Sequence, residues 1–304
     1  SPEDREAQVR RLLETTEARG RIVQVVREWL GIDRISATSK DSGVFPKFEE
    51  VKASMEAETE QFVTEVLTNG DGTVGELLGA DWTMADAKLA AFYGATGEGR
   101  VTLKDRVGIL NQGAFLSVYA HATEEAPVLR GVNVLRRVAC VDIPSPSSLN
   151  INIVPPVPDQ SKTVRERFSV HATDEVCRSC HNKIDPLGFS FEKFGADGAY
   201  RTTDEHGHTV DSSVTVDLNT EGIDGAYADS NELAKALSTS ESVRSCFARQ
   251  VFRASTGYTS DVSSPSEDAF LEAWTKAPDA AQGSITETLI SYVKNSLFSH
   301  RRTK

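Results

Sequence analysis

Residues 177–201 read CRSCHNKIDPLGFSFEKFGADGAYR. Cys177, Cys180 and His181 form a C-x-x-C-H run. Two thiols three positions apart can reach the two vinyl groups of one porphyrin, and the adjacent imidazole is then delivered to its iron. The spacing predicts one covalent haem c, with His181 as proximal ligand. Two other readings of the same residues stay open. A redox disulfide between Cys177 and Cys180 would suit a thioredoxin-like βαβ frame, which the flanking sequence lacks. A zinc site built from His171, Cys177, Cys180 and His181 would ask two adjacent residues to face one tetrahedral ion.

The sixth iron ligand is open. The only methionines, Met55 and Met84, lie upstream of the motif. The remaining imidazoles are His121, His171, His206, His208 and His300. His121 is the candidate distal ligand, since it lies in a loop-like stretch of the first half of the chain. A vacant sixth position would favour small-ligand chemistry over pure electron transfer. Propionates need cationic partners, and Arg165, Arg167 and Arg201 flank the motif, Arg201 foremost.

Around this motif the periodicity is mostly helical. Apolar residues spaced by three and four from Val9 to Leu30 predict an N-terminal helix, and a second is expected over about 47–68, ended by Asn69-Gly70-Asp71-Gly72. Thr83 is expected to cap a helix running to Tyr93. Residues 102–112 and 115–119 could be strand or helix. Five of the eleven prolines fall in 143–158, where missing backbone donors predict an extended linker. Further helices are expected at about 161–171, 230–238 (Asp229 and Glu232 forming a capping box), 241–256 and 284–296, with loops and a short hairpin over 195–230. In IDPLGF, Asp185-Pro186 and Gly188 are expected to make a turn, while Leu187, Phe189 and Phe191 line either a haem pocket or an ordinary core. The fold class is mainly α: a helical N-terminal module over 1–142, a Pro-rich linker over 143–160, and a small helical cytochrome-c-like module with long loops over 161–304.

The chain has 304 residues and a net charge of -12. Such an acidic surface repels phosphate backbones, which argues against nucleic acid as a partner. No apolar run reaches the ~18 residues needed to span a bilayer. The sequence starts at Ser1 with no signal-like segment, and a longer precursor is expected. Of the four cysteines, Cys140 and Cys246 stand outside the motif and could form a disulfide, which calls for an oxidising compartment.

The stretch 177–201 closely resembles a module of unknown function in secreted cytochrome-like proteins of planctomycetes and related bacteria. Its hallmark is C-x-x-C-H followed by Ile184-Asp185-Pro186-Leu187-Gly188-Phe189, then Phe191-Glu192 and Tyr200-Arg201. Residues 81–94 and Pro127–Gly131 resemble the neighbouring upstream module. Residues 231–258 and 298–301 resemble the downstream one. Gly195 departs from the pattern, standing where Asp is more usual. The resemblance implies three tandem modules, a periplasmic, secreted or cell-surface location, and pairing of Cys140 with Cys246. It leaves the reaction open. The leading expectation is a monohaem electron-transfer protein that meets a redox partner protein or small molecule. A peroxidase- or oxygenase-type haem enzyme with an open distal site comes next. A haem-free surface or carbohydrate-binding protein with a Cys177–Cys180 disulfide is the third.

Overall fold

A computed structural model of the chain describes residues 1–145, 148, 159–168, 175–257, 263–278 and 282–299. His171, His300 and most of the proline-rich segment lie outside the described residues. The fold is mainly α with two small sheets.

The N-terminal run of periodic apolar residues folds as two helices, α1 (Pro2–Leu13) and α2 (Thr16–Leu30), where one was expected. Thr15 makes the break. Its hydroxyl accepts from Ala18 N (3.2 Å) and donates to Leu12 O (2.7 Å), capping one helix while closing the other. Gly31, at φ 65°, ends α2. Helix α3 (Phe48–Thr68) follows, with Met55, Phe62, Val63 and Val66 fully covered, then α4 (Val74–Gly79). Strands β1 (Trp82–Ala85) and β2 (Gly99–Thr102) pair antiparallel, with Trp82 opposite Thr102. Thr83, expected as a helix cap, sits inside β1. The cap of α5 (Ala87–Phe92) is Asp86, which accepts from Leu89 N at 2.7 Å. Of the two ambiguous stretches, 115–119 falls largely in α6 (Gly113–Val118), and 102–112 holds a 3-10 turn at Ile109–Asn111. Helix α7 (Pro127–Asn133) runs on into a π turn over Val134–Val138.

Beyond the proline-rich segment come α8 (Val164–Phe168) and α9 (Glu175–Phe189), which carries the C-x-x-C-H run. The expected hairpin is β3 (Val214–Val216) with β4 (Gly225–Tyr227), Val214 opposite Tyr227. Helices α10 (Ser230–Thr239), α11 (Glu241–Thr256), α12 (Pro265–Thr275) and α13 (Ile285–Lys294) follow. Asp229 caps α10, accepting from Asn231 N and Glu232 N, while Glu232 reaches back to Ala228 N rather than to the cap itself. Helix α12 was not foreseen, although Ser264 at its cap, Pro265 in its first turn and Glu267 at its third position are the standard start signals.

One hydrophobic cluster runs through both sides of the proline-rich segment. Val26, Leu30, Phe62, Leu110 and Phe115 belong to it from before, and Leu187, Phe191, Phe194, Leu233 and Val251 from after. The segment at 143–160 thus divides the chain, not the core. Helices α7 and α9 cross in close contact. A Cβ on Gly131 would lie 2.2 Å from Ile184 O, and one on Gly188 would lie 2.0 Å from Pro127 O. Only glycine allows that approach. The fully buried Arg130 of α7 locks the crossing by donating to Leu116 O, Phe191 O, Phe194 O and Gly195 O (2.8–3.1 Å). Cys140 and Cys246 form a disulfide that ties the chain after the π turn to α11 across a sequence separation of 106.

Two further features bear on stability. Inside the core Glu58 accepts hydrogen bonds from Thr83 Oγ1 (2.8 Å) and Tyr93 OH (2.7 Å), and Tyr93 OH in turn accepts from Gly113 N (2.9 Å). Burial pushes the Glu58 carboxyl up to about 7, against the pull of those two hydroxyls. At the surface α1 buries none of its residues. It docks on α13 through polar contacts: Arg5 donates to Val293 O and Lys294 O (both 2.8 Å), and Arg10 pairs with Glu287 (2.6 Å). Lys294 pairs with Glu6 at 2.5 Å.

Candidate functional site

Helical register sets Cys177, His181 and Asp185 along one side of α9. Cys177 and His181 are one turn apart, and Cys180 is three residues from Cys177. Both thiols are half-buried and neither is in a disulfide. Asp185, one turn beyond His181, places Oδ1 at 2.7 Å from His181 Nδ1. A carboxylate only accepts, so Nδ1 carries the proton and Nε2 has the lone pair a metal requires.

The expected turn at Asp185-Pro186 and Gly188 does not form. All three residues belong to the last turns of α9, which runs through Pro186 to Phe189. Gly188 serves the contact with α7 instead. Leu187 and Phe191 are core residues, 0% and 1% exposed, whereas Phe189 reaches the cavity described next.

His181 opens on a cavity of about 830 Å³, within the range of about 300–1,000 Å³ typical of small-molecule and cofactor sites. One wall comes from α8 and α9, with Arg165, Phe168, His181, Asp185, Pro186 and Phe189; the facing wall comes from the β3–β4 hairpin, with Val214, Thr215, Ala226 and Tyr227. The lining mixes apolar faces with the polar groups of His181, Asn182, Asp185, Ser213 and Thr215 and one guanidinium. Arg165 stacks over the Phe189 ring, 4.6 Å from its centroid, and donates to Asp211 O at 2.6 Å. A flat apolar macrocycle with acidic side chains suits these walls and that cation. The residues therefore fit a haem: Cys177 and Cys180 would hold it covalently, His181 would hold its iron, and Arg165 would face a propionate. Neither thiol is among the cavity walls; Cys177 stands one turn before His181, and Cys180, next to His181, packs against the core cluster.

The other candidates lie elsewhere. Arg201 pairs with Glu125, and with Glu205 at 2.6 Å, away from the large cavity. Burial works against its charge, but the two carboxylates outweigh that and raise its pKa. Arg167 pairs with Glu124 at 2.7 Å. His121 is exposed on a turn closed by its own N–H to Glu124 O (2.9 Å), and its carbonyl accepts from Lys40 Nζ (2.9 Å). His206 is also exposed, and His208 Nδ1 lies 2.9 Å from Asp204. None of these histidines borders the cavity. Sequence reasoning missed the hairpin wall, whose residues lie more than thirty positions past the motif.

A smaller cavity of about 50 Å³ adjoins this region, bordered by Glu125, Arg165, Glu192, Arg201 and Asp204. Arg165 faces both cavities and pairs with Glu192 at 3.3 Å. Burial raises Glu192 to about 7 despite Arg165 beside it.

Residues 106–204 match the family model PSCyt3, described as a protein of unknown function (DUF1588). Residues 1–95 match a second, PSD4, also a protein of unknown function (DUF1592). The two stand in tandem, and the first spans α6 to α9, so it includes the C-x-x-C-H helix, its α7 partner and Arg201. No curated protein and no solved structure matches the chain. No helix among the described residues is long and apolar enough to cross a membrane.

Proposed function

We propose that this chain carries one haem c, attached through Cys177 and Cys180 with His181 on the iron, and that it transfers electrons outside the cytoplasm. The observation that carries this reading is His181, fixed by Asp185, opening on a partly apolar cavity from the helix that also bears the two thiols. When bound, the haem would supply a one-electron couple. The chain's own residues do the rest: Asp185 sets the imidazole tautomer, the β3–β4 hairpin and Phe189 offer the macrocycle apolar faces, and Arg165 offsets propionate charge. The name PSCyt3 points the same way for the family matched over 106–204. The Cys140–Cys246 disulfide supports an oxidising compartment such as a periplasm or cell exterior. The partner on this reading is another redox protein or a small molecule.

The test is a pyridine haemochrome spectrum of the denatured protein, produced in a host that exports it and attaches haem c. An α band of c-type haem that stays with the polypeptide, and is lost in the Cys177→Ala/Cys180→Ala variant, supports the reading. A protein with no bound haem refutes it and favours the haem-free alternative. The spin state of the native ferric form separates carrier from enzyme: low-spin iron fits electron transfer, and high-spin iron fits a haem enzyme with an open position.

A further inference from the structure

The proposed cofactor site contains a side chain whose role goes beyond binding. We infer that Asp185 is a positioning residue that lowers the reduction potential of the iron held by His181. This rests on the haem reading above.

The pair is built, not incidental. Asp185 Oδ1 lies 2.7 Å from His181 Nδ1, and the two side chains are only 15% and 18% exposed. Both border the same cavity. Their backbone is held on either side. Ile184 and Leu187 are buried in the core, and Gly188 is pressed against the carbonyl of Pro127. The last turns of α9 therefore cannot shift without breaking the α7 crossing and the four carbonyl contacts of Arg130.

The chemistry follows from the acceptor. A histidine whose N–H points to a neutral carbonyl is an ordinary imidazole ligand. One whose N–H points to a carboxylate shares its proton with an anion, and its other nitrogen becomes a stronger donor. A stronger donor stabilises the more highly charged ferric iron over the ferrous, so the couple moves to lower potential. The negative charge of the carboxylate itself acts in the same direction. A helix pair serving stability alone would leave the iron untouched.

The experiment is a redox titration of the haem-loaded chain, comparing wild type, Asp185→Asn, Asp185→Glu and Asp204→Asn. Asn keeps the shape of Asp185 and loses its charge. Glu keeps the charge. Asp204→Asn removes one charge from another His–Asp pair, His208–Asp204 at 2.9 Å, away from the large cavity. The expected result for Asp185→Asn is a shift of the reduction equilibrium by tenfold or more towards ferrous, which is about 59 mV for one electron. Asp185→Glu is expected to recover most of it, and Asp204→Asn to change little. A loaded Asp185→Asn with the potential of wild type overturns the inference while leaving the haem in place. A chain that never takes up haem overturns the cofactor and this inference together.

Discussion

Replacing Glu58 with Gln removes a titration from the middle of the core. The wild-type carboxyl keeps its proton up to about 7 in the folded chain, against an ordinary value of 4.5. A raised acid favours folding while both states are protonated, and that advantage is lost as pH rises from the unfolded value through the folded one. Between pH 5 and 8 the wild type should lose about 2.5 kcal/mol of stability from this group, at about 1.4 kcal/mol per pKa unit. Gln copies the shape of the protonated form and can still meet Thr83 and Tyr93, but it does not titrate. The Glu58→Gln variant should therefore be near wild type at pH 5 and more stable by about 2–3 kcal/mol at pH 8. Glu192, raised by its own burial, adds to the pH dependence of both proteins and cancels in the comparison. Urea denaturation of both proteins at the two pH values reads the difference directly. A stability gap that is the same at pH 5 and pH 8 would show that Glu58 ionises at its ordinary value, and the argument would fall.

Four other outcomes are expected. Reducing the Cys140–Cys246 bridge, or replacing both residues with Ser, should cost on the order of 4–5 kcal/mol, since the closed loop exceeds a hundred residues; thermal melts with and without reductant check it. Arg130→Met removes a donor from four buried carbonyls, two of which (Phe191 O and Gly195 O) keep a backbone N–H, and should cost about 2–4 kcal/mol in urea denaturation, while a loss under about 1 kcal/mol would mean that Leu116 O and Phe194 O find other donors. Gly188→Ala drives a methyl into Pro127 O and should destabilise by about 1–3 kcal/mol, whereas Gly20→Ala, mid-helix with open space around it, should stabilise by about 0.5–1 kcal/mol; paired melting curves test both signs.

The long helices were legible because their periodicity is local. Phe48–Thr68 and Glu241–Thr256 fell almost where the spacing put them. Thr83 joins a strand where the sequence predicts a cap, and Thr15 breaks a helix that the spacing predicts as continuous, for a shared reason: a threonine can cap, break or join a strand, and its hydroxyl partner decides which. Glu58, twenty-five positions from Thr83, is such a partner and leaves no trace near it. The helical path through Pro186 and Gly188 was hidden in the same way, because it depends on α7 packing against it. The core of the site was written in one short motif, since thiol and imidazole spacing is a chemical requirement. Its enclosure was not: the hairpin wall comes from distant sequence, and Arg201 is held by Glu125, seventy-six positions earlier. Arg165 reaches the cavity only because α8 folds beside α9.

Helix α1 grips α13 through charge and carbonyl contacts, and only its last residue, Leu13, packs against the core. Exposed ion pairs feel each other over about 10 Å in 0.1 M salt and about 3 Å in 1 M. The first thirteen residues should therefore behave as a clasp whose hold is set by ionic strength. Strong salt is expected to weaken the clasp in part, since its contact pairs lie at 2.5–2.9 Å, and the amides of α1 to exchange with solvent well before those of α3 or α11. The chain thus has a part that can be loosened without unfolding it, and that part lies far in sequence from the helix bearing Cys177, Cys180 and His181.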